Sequence, residues 1–169
     1  MAGGWDSSSC HSDGLRRGTS DIYLDGWEIE VASGSFCVST DAALSVAAGS
    51  VLLFCKSGSA IDGQTCDYTY GSNAFVDFDS GATCSAEDAS FALAVNDTIG
   101  IRSSSAGTTI DGVAYLASWP YAASTSMELS TTIANQTSAQ NDTSTNWCAG
   151  TSSYGLLHYG TPGASNDCP

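Results

Sequence analysis

Nowhere in this chain do apolar residues recur at helical spacing (i, i+3, i+4, i+7) over a useful length; what recurs is alternation in short runs. In "GWEIEV", residues 26–31, Trp27, Ile29 and Val31 fall on one face and Glu28 and Glu30 on the other. That period of two is the mark of a half-buried strand with its acids outward. "SFCV", 35–38, continues this strand or pairs with it after a turn at Gly34. The apolar run "VLLFC" at 51–55 is too short for a helix and is bounded by Gly49 and by Lys56-Ser57-Gly58, so it predicts a buried strand.

Further along, "DYTYG" (67–71), "AFVDF" (74–78) and "SFAL" (90–93) are strand-like runs in looser surroundings. "NDTIGIR" and "TTIDGVAY" flank "SSSAG", which predicts a hairpin over 96–115 with Ile99 and Ile101 on one face. One more alternating piece, "SMEL", lies at 126–129. Charged residues are only 13% of the chain, and Ser, Thr, Gly and Ala occupy positions that Lys and Glu usually hold. Ser, Thr and Gly are weak helix formers. With 42% apolar residues to build a core, the chain predicts an all-β domain.

Eighteen Asp and Glu stand against four Lys and Arg, a formal net charge of −14. Such a field repels phosphate backbones, and the basic residues never cluster beyond Arg16-Arg17, so nucleic acid is excluded as a partner. It suits solubility in a salty or extracellular medium, or an acidic face for cations or a basic partner. The seven cysteines, at 10, 37, 55, 66, 84, 148 and 168, are widely spaced with no Cys-x-x-Cys. That pattern fits disulfides in an oxidising compartment better than a zinc or redox motif. Cys37, Cys55, Cys66, Cys84, Cys148 and Cys168 are the candidates, and Cys66–Cys84 is the expected local pair. The odd count leaves one thiol free or paired between chains. Asn96, Asn135 and Asn141 head Asn-x-Thr sequons, relevant only in a eukaryotic secretory pathway. "MAGGWDSSSC" has neither a basic nor an apolar signal region, so a secreted form is expected to have lost its leader. No apolar run reaches the ~18 residues of a membrane span.

In order, these pieces resemble the lamin tail domain, an immunoglobulin-like β-sandwich of nuclear lamins and of many secreted bacterial proteins. "YLDGWEIE" resembles its Leu-x-Gly-Trp strand, and "LSVAAGSVLLF" its strand after an Ala-Gly turn. "SFALAVNDTIGIRSSSAGTTIDGVAY" is similar to its Leu-Ser-Asn-x-Gly-Asp-Thr-Val hairpin and Val-Ile-Asp-x-Val-x-Tyr end. "NWCAGTSSYGLLHYGTPGASN" is similar to the closing Trp and Thr-Pro-Gly-x-x-Asn of bacterial members. The resemblance covers 22–166 and implies an immunoglobulin-like sandwich over 22–169. The front departs from it: residues 1–21 form a polar arm where family members carry their first strands. The strand around Trp27 is therefore expected at an exposed edge, or paired with something outside 22–166, which invites self-association.

Trp147 is expected to seal the open end of the sandwich, as Trp27 packs its Gly-Trp strand. Cys148 and Cys168 are covalent anchors there, and Thr161-Pro162-Gly163 folds the tail back. Asp97 and Asp111, at turns flanking the hairpin, are read as caps on backbone N–H groups. Asp77, Asp79, Glu87 and Asp88 crowd "DFDSGATCSAED", a candidate calcium loop. Its order is not that of an EF-hand, since Gly81 and Ala82 take the fifth and sixth positions, and the alternative is a solvated loop tip. Cys10, His11 and Asp13 are ligand types gathered in a Ser-rich arm, more simply read as coincidence. His158, between Leu157 and Tyr159, reads as packed.

No Gly-x-Ser-x-Gly, His-Glu-x-x-His or phosphate loop is present, and the serines have no neighbouring base. The sequence therefore predicts a non-catalytic extracellular or cell-surface module for adhesion, display or binding of a protein or glycan. The alternative is a structural subunit of a filament or surface layer, joined by strand addition or disulfides. An enzyme built on scattered Asp residues is a third, weaker class.

Overall fold

The alternating segment at 26–31 becomes the interior of the largest sheet. A computed structural model of the chain describes residues 21–38, 44–47, 50–56, 63–70, 91–103, 107–133, 137–155 and 157–168. In it β1 (Ile22–Tyr23) is followed by β2 (Glu28–Val31), β3 (Gly34–Cys37), β4 (Ser45–Val46), β5 (Phe54–Lys56) and β6 (Tyr68–Tyr70). Then come β7 (Asp97–Arg102), β8 (Thr109–Tyr115), β9 (Met127–Leu129), β10 (Trp147–Ala149), β11 (Ser153–Tyr154) and β12 (His158–Tyr159). A single turn of helix, α1 (Ser138–Asn141), and a 3-10 turn at Ser144–Asn146 precede β10. The fold is all-β, nearly without helix.

The largest sheet runs β3-β2-β7-β8, every neighbour antiparallel. Ile29 and Val31 of β2 are buried and Glu28 and Glu30 half-exposed, as the alternation requires. On the outer face Glu30 binds Arg102 of β7, with Oε1 3.0 Å from Nη2. The β7–β8 hairpin forms in the expected place, with a register shift at Ile101/Arg102.

This arrangement corrects the expected edge at Trp27. The strand that follows it pairs on both sides, Ile29 opposite Phe36 of β3 and opposite Ile101 of β7. Both partners lie within 22–166, because a tight hairpin supplies one and the distant 96–115 hairpin supplies the other. The sheet edges are β3 and β8 instead. The arm at 1–20 lies outside the described residues.

The "VLLFC" run is strand only from Phe54, although Leu52 and Leu53 are buried with it. Its β5 pairs with β6 in parallel, Phe54 opposite Tyr68 and Cys55 opposite Thr69. Asp67 fastens the return: its Oδ2 accepts from Leu53 N at 2.7 Å. That brings Cys66 beside Cys55, and the two are disulfide-bonded with Cα atoms 5.8 Å apart. The expected Cys66–Cys84 pair is thereby ruled out, since Cys66 is taken by a neighbour only 11 positions away. Cys37 is also disulfide-bonded. "AFVDF" and Cys84 lie outside the described residues, and "SFAL" is not a strand though Phe91 is buried.

One core joins the sheets. Ile29, Phe36, Ile99, Val113 and Tyr115 of the large sheet meet Phe54, Met127, Leu129 and Trp147 from the smaller ones, with Leu24 and Trp119 from the connecting segments. Phe36 stacks on Tyr70 with ring centroids 4.2 Å apart and meets Phe91 edge-on at 5.0 Å. Aromatic pairs of this kind add about 0.5–1.5 kcal/mol beyond area burial. Asp97 ties the hairpin to the β2–β3 turn, its Oδ1 accepting from Ala32 N at 2.9 Å and Thr98 N at 2.8 Å. Its Oδ2 accepts from Ala94 N at 3.2 Å.

Candidate functional site

The most unusual chemistry among the described residues is a buried acid. Strand β9 is closed on both faces: Met127 and Leu129 enter the core, and Glu128, pointing the other way, is 0% exposed. A carboxyl group without solvent must find donors. Glu128 finds them in the tail that returns over β9. Its Oε1 accepts from Thr161 Oγ1 at 2.9 Å and Ser126 Oγ at 3.3 Å, and its Oε2 from Asp167 N at 2.9 Å.

Asp167 is the second acid of the cluster. Its carboxylate accepts from Ser152 N at 2.5 Å, Thr151 Oγ1 at 2.9 Å and Thr151 N at 3.2 Å. Burial pushes the Glu128 carboxyl above its usual range, and the adjoining Asp167 charge adds to this. Burial works to raise Asp167 too, but hydrogen bonds from Ser152, Thr151 and Glu128 outweigh it and hold Asp167 well below the usual carboxylate range. Glu128 therefore keeps its proton to higher pH while Asp167 stays ionised. Two acids with pKa values driven apart are the raw material of acid–base chemistry. Here Glu128 has no open surface, so in this state its oxygens serve the tail.

The surrounding sequence is shaped to that purpose. A Cβ on Gly150 would lie 2.8 Å from Gly160 Cα and 2.9 Å from Glu128 Oε1, so a bare backbone is needed for the layers to close. Thr161-Pro162-Gly163-Ala164 turns on a bond from Ala164 N to Thr161 O of 3.0 Å, with Gly163 at φ +71°. Pro at the second and Gly at the third position is what such a turn demands. Asn166 Nδ2 donates to Leu129 O at 3.0 Å. The Cys148–Cys168 disulfide, across 20 positions, staples the tail to β10, where Cys148 sits opposite Glu128.

Trp147 is 5% exposed, lies 5.9 Å from the Trp119 ring, and donates its Nε1 proton to Asn141 O at 2.6 Å. Trp27 is partly buried against the core. Asp111 lies within β8 opposite Ile101 rather than at a turn, and its Oδ1 accepts from the adjacent Gly112 N at 2.8 Å. His158 is half-buried and stacks on Tyr154, with centroids 5.6 Å apart. Asn141 is 2% exposed, so the folded state closes that sequon to a glycan. Asp77, Asp79, Glu87 and Asp88 of the calcium loop, and Cys10, His11 and Asp13, lie outside the described residues. Among the described residues no three of His, Cys, Asp or Glu are grouped to hold a metal, and no helix is long and apolar enough to cross a membrane.

Sequence reasoning missed Glu128 and Asp167. It read "SMEL" only as one more alternating piece and gave Glu128 no role. The available signal was an acid flanked by Met and Leu and followed downstream by a turn-rich, cysteine-anchored segment. Next to the cluster, the β11–β12 hairpin projects Leu157 and Tyr159, 76% and 47% exposed. It is held against residues 124–126 by Ser126 N to Tyr159 O and Tyr159 N to Ser124 O, both 2.9 Å. No protein-family model, curated protein or solved structure matches this chain.

Proposed function

We propose that this protein is a non-catalytic module of the extracellular space or cell surface, a lamin-tail-like immunoglobulin sandwich that binds a protein or glycan partner. The observation that carries this reading is the hairpin at 153–159. It offers outward Leu157 and Tyr159 beside a stacked Tyr154–His158 pair, on a base fixed by the Glu128 cluster and a disulfide. Exposed apolar groups on a rigid base favour binding, since little side-chain or loop entropy is lost on contact. Disulfides and the −14 charge support an oxidising, aqueous setting. The test is binding of the purified protein to arrays of glycans and surface proteins, repeated with Leu157→Ser/Tyr159→Ala. Binding lost in that variant, with melting unchanged, supports the reading. Equal binding by both proteins, or none by either, removes the hairpin as the contact.

A structural subunit assembled by strand addition is the second reading. It is favoured by β8, a seven-residue strand at the rim of the large sheet with Ile110 47% exposed. Sedimentation with and without reductant separates the two: a monomer in both supports the binding module, and a reductant-resistant polymer the subunit.

A further inference from the structure

Behind β9 the tail turn brings together a hydroxyl, a carboxamide and a buried carboxyl. Thr161 opens the turn, which closes through Ala164 N to Thr161 O at 3.0 Å, and Asn166 stands two residues beyond it. Thr161 Oγ1 lies 2.9 Å from Glu128 Oε1 and 3.4 Å from Asn166 Oδ1. A hydroxyl has one proton, and the shorter contact takes it. The 3.4 Å contact is beyond the roughly 2.5–3.0 Å of an O–H···O bond, so Thr161 turns a lone pair, not a proton, towards the Asn166 amide. That amide is held in place, since its Nδ2 donates to Leu129 O at 3.0 Å. Its carbonyl carbon is one bond of about 1.23 Å from Oδ1. Glu128 is 0% and Asn166 9% exposed, so a nucleophile, a base and an electrophile meet where water is scarce.

We propose that Thr161 and Asn166 become joined by an intramolecular ester, with Glu128 carrying the proton. Glu128 Oε1 takes the hydroxyl proton as Thr161 Oγ1 bonds to the Asn166 carboxamide carbon. The bond from that carbon to Nδ2 then breaks, and Nδ2 receives the proton from Glu128 and leaves as ammonia. A hydroxyl and a carboxamide give an ester and ammonia; nothing is oxidised or reduced, and Glu128 is returned unchanged. Ammonia escapes to solvent and is protonated there, which draws the exchange forward. Burial keeps water from the product. Holding both reactants on one turn replaces a bimolecular encounter by an intramolecular one. The Asp167 N–H bond to Oε2 at 2.9 Å keeps Glu128 aimed at Thr161, and burial, by raising its pKa, makes it a stronger base once ionised. The product is a ring across 161–166 beside the Cys148–Cys168 staple, a closure that reductant would leave intact. It is a single self-modification, goes beyond the binding role and holds whichever partner the hairpin takes.

The test is the intact mass of the full chain after incubation at pH 8, with tandem spectrometry of the tail peptide. The parent protein should be lighter by one ammonia than its sequence and disulfides require, with residues 161 and 166 cross-linked and the link reopened by hydroxylamine. Thr161→Ser keeps a hydroxyl and should keep the loss; Thr161→Val keeps the shape and should abolish it. Glu128→Gln, shown to be folded by its melting curve, should slow the loss about 10²-fold or more. The parent mass and the two Thr161 variants decide the ester even without that third variant. A parent chain at its full sequence mass would leave the three groups as hydrogen-bond partners. An ammonia loss that persists in Thr161→Val would be a succinimide closed on Asn166 by Asp167 N. An undiminished rate in folded Glu128→Gln would remove the proton carrier. Any of these results overturns the proposal.

Discussion

Replacing Glu128 with Ala tests whether a buried acid holds the tail. The change strips the acceptor from Asp167 N and from Thr161 Oγ1, each 2.9 Å from an oxygen of the fully buried Glu128. A buried donor left unsatisfied costs about 1–3 kcal/mol, so the two together predict a loss of about 2–6 kcal/mol. For a chain of this length each kcal/mol moves Tm by about 2–4 °C, giving a fall of roughly 4–24 °C. Glu128→Gln keeps one carbonyl for Asp167 N, while its amide meets hydroxyls that can turn to accept, so a much smaller loss follows. The two variants also differ with pH. Burial raises the Glu128 pKa, so the folded state holds that proton more tightly than the unfolded chain. The matching stability is present below the unfolded glutamate pKa of about 4.3 and is lost as pH rises through the raised folded value. Asp167 runs the other way: its stabilisation is present above the unfolded aspartate pKa of about 3.9 and is lost as pH falls towards the depressed folded value. Urea unfolding followed by circular dichroism at pH 5 and pH 8 reads the Glu128 effect, and the same measurement below about pH 4 reads that of Asp167. Wild type should be more stable at pH 5 than at pH 8, and Glu128→Gln should flatten that difference. An Ala variant within 1 kcal/mol of wild type, or an unchanged pH slope in the Gln variant, would refute the reasoning.

Trp147→Ala should cost about 3–5 kcal/mol, since it empties a buried ring volume and frees Asn141 O; its melting curve checks this. Paired Cys148→Ala/Cys168→Ala should cost about 3 kcal/mol on the chain-entropy account of a 20-residue loop and raise proteolysis of the tail first, read by mass spectrometry. Asp97→Ala deprives Ala32 N, Ala94 N and Thr98 N of one acceptor and should cost about 2–4 kcal/mol, with faster hydrogen exchange at the β2–β3 turn. Arg102→Ala breaks only a half-exposed pair with Glu30 and should change stability by less than about 1 kcal/mol.

Local pattern and global pairing were unequally legible. Ile29 and Val31 alternate with Glu28 and Glu30 because one face is dry, and this shows directly in the letters. The β7–β8 hairpin is equally local, and Asp97 caps backbone N–H groups as its position suggests, whereas Asp111 falls inside β8. What could not be read was the choice among distant partners. Nothing in "GWEIEV" says that Ile29 will face Ile101, so an interior strand passed for an edge. Likewise the parallel β5–β6 pairing sets Cys66 beside Cys55, and spacing alone does not encode a disulfide. Glu128 failed for a third reason: alternation reports that two faces differ, not that the second face will later be covered.

That late covering has a consequence for synthesis. Glu128 waits for Asp167, 39 positions downstream, and at roughly 5–20 residues per second a ribosome takes about 2–8 s to supply it. During that interval Met127–Leu129 is a bare apolar strand with an ionised carboxylate at its midpoint. A charge there opposes pairing with other nascent strands, as gatekeeper residues do. The same side chain thus guards the unfinished chain against aggregation and, once the tail arrives, becomes the acid on which it closes.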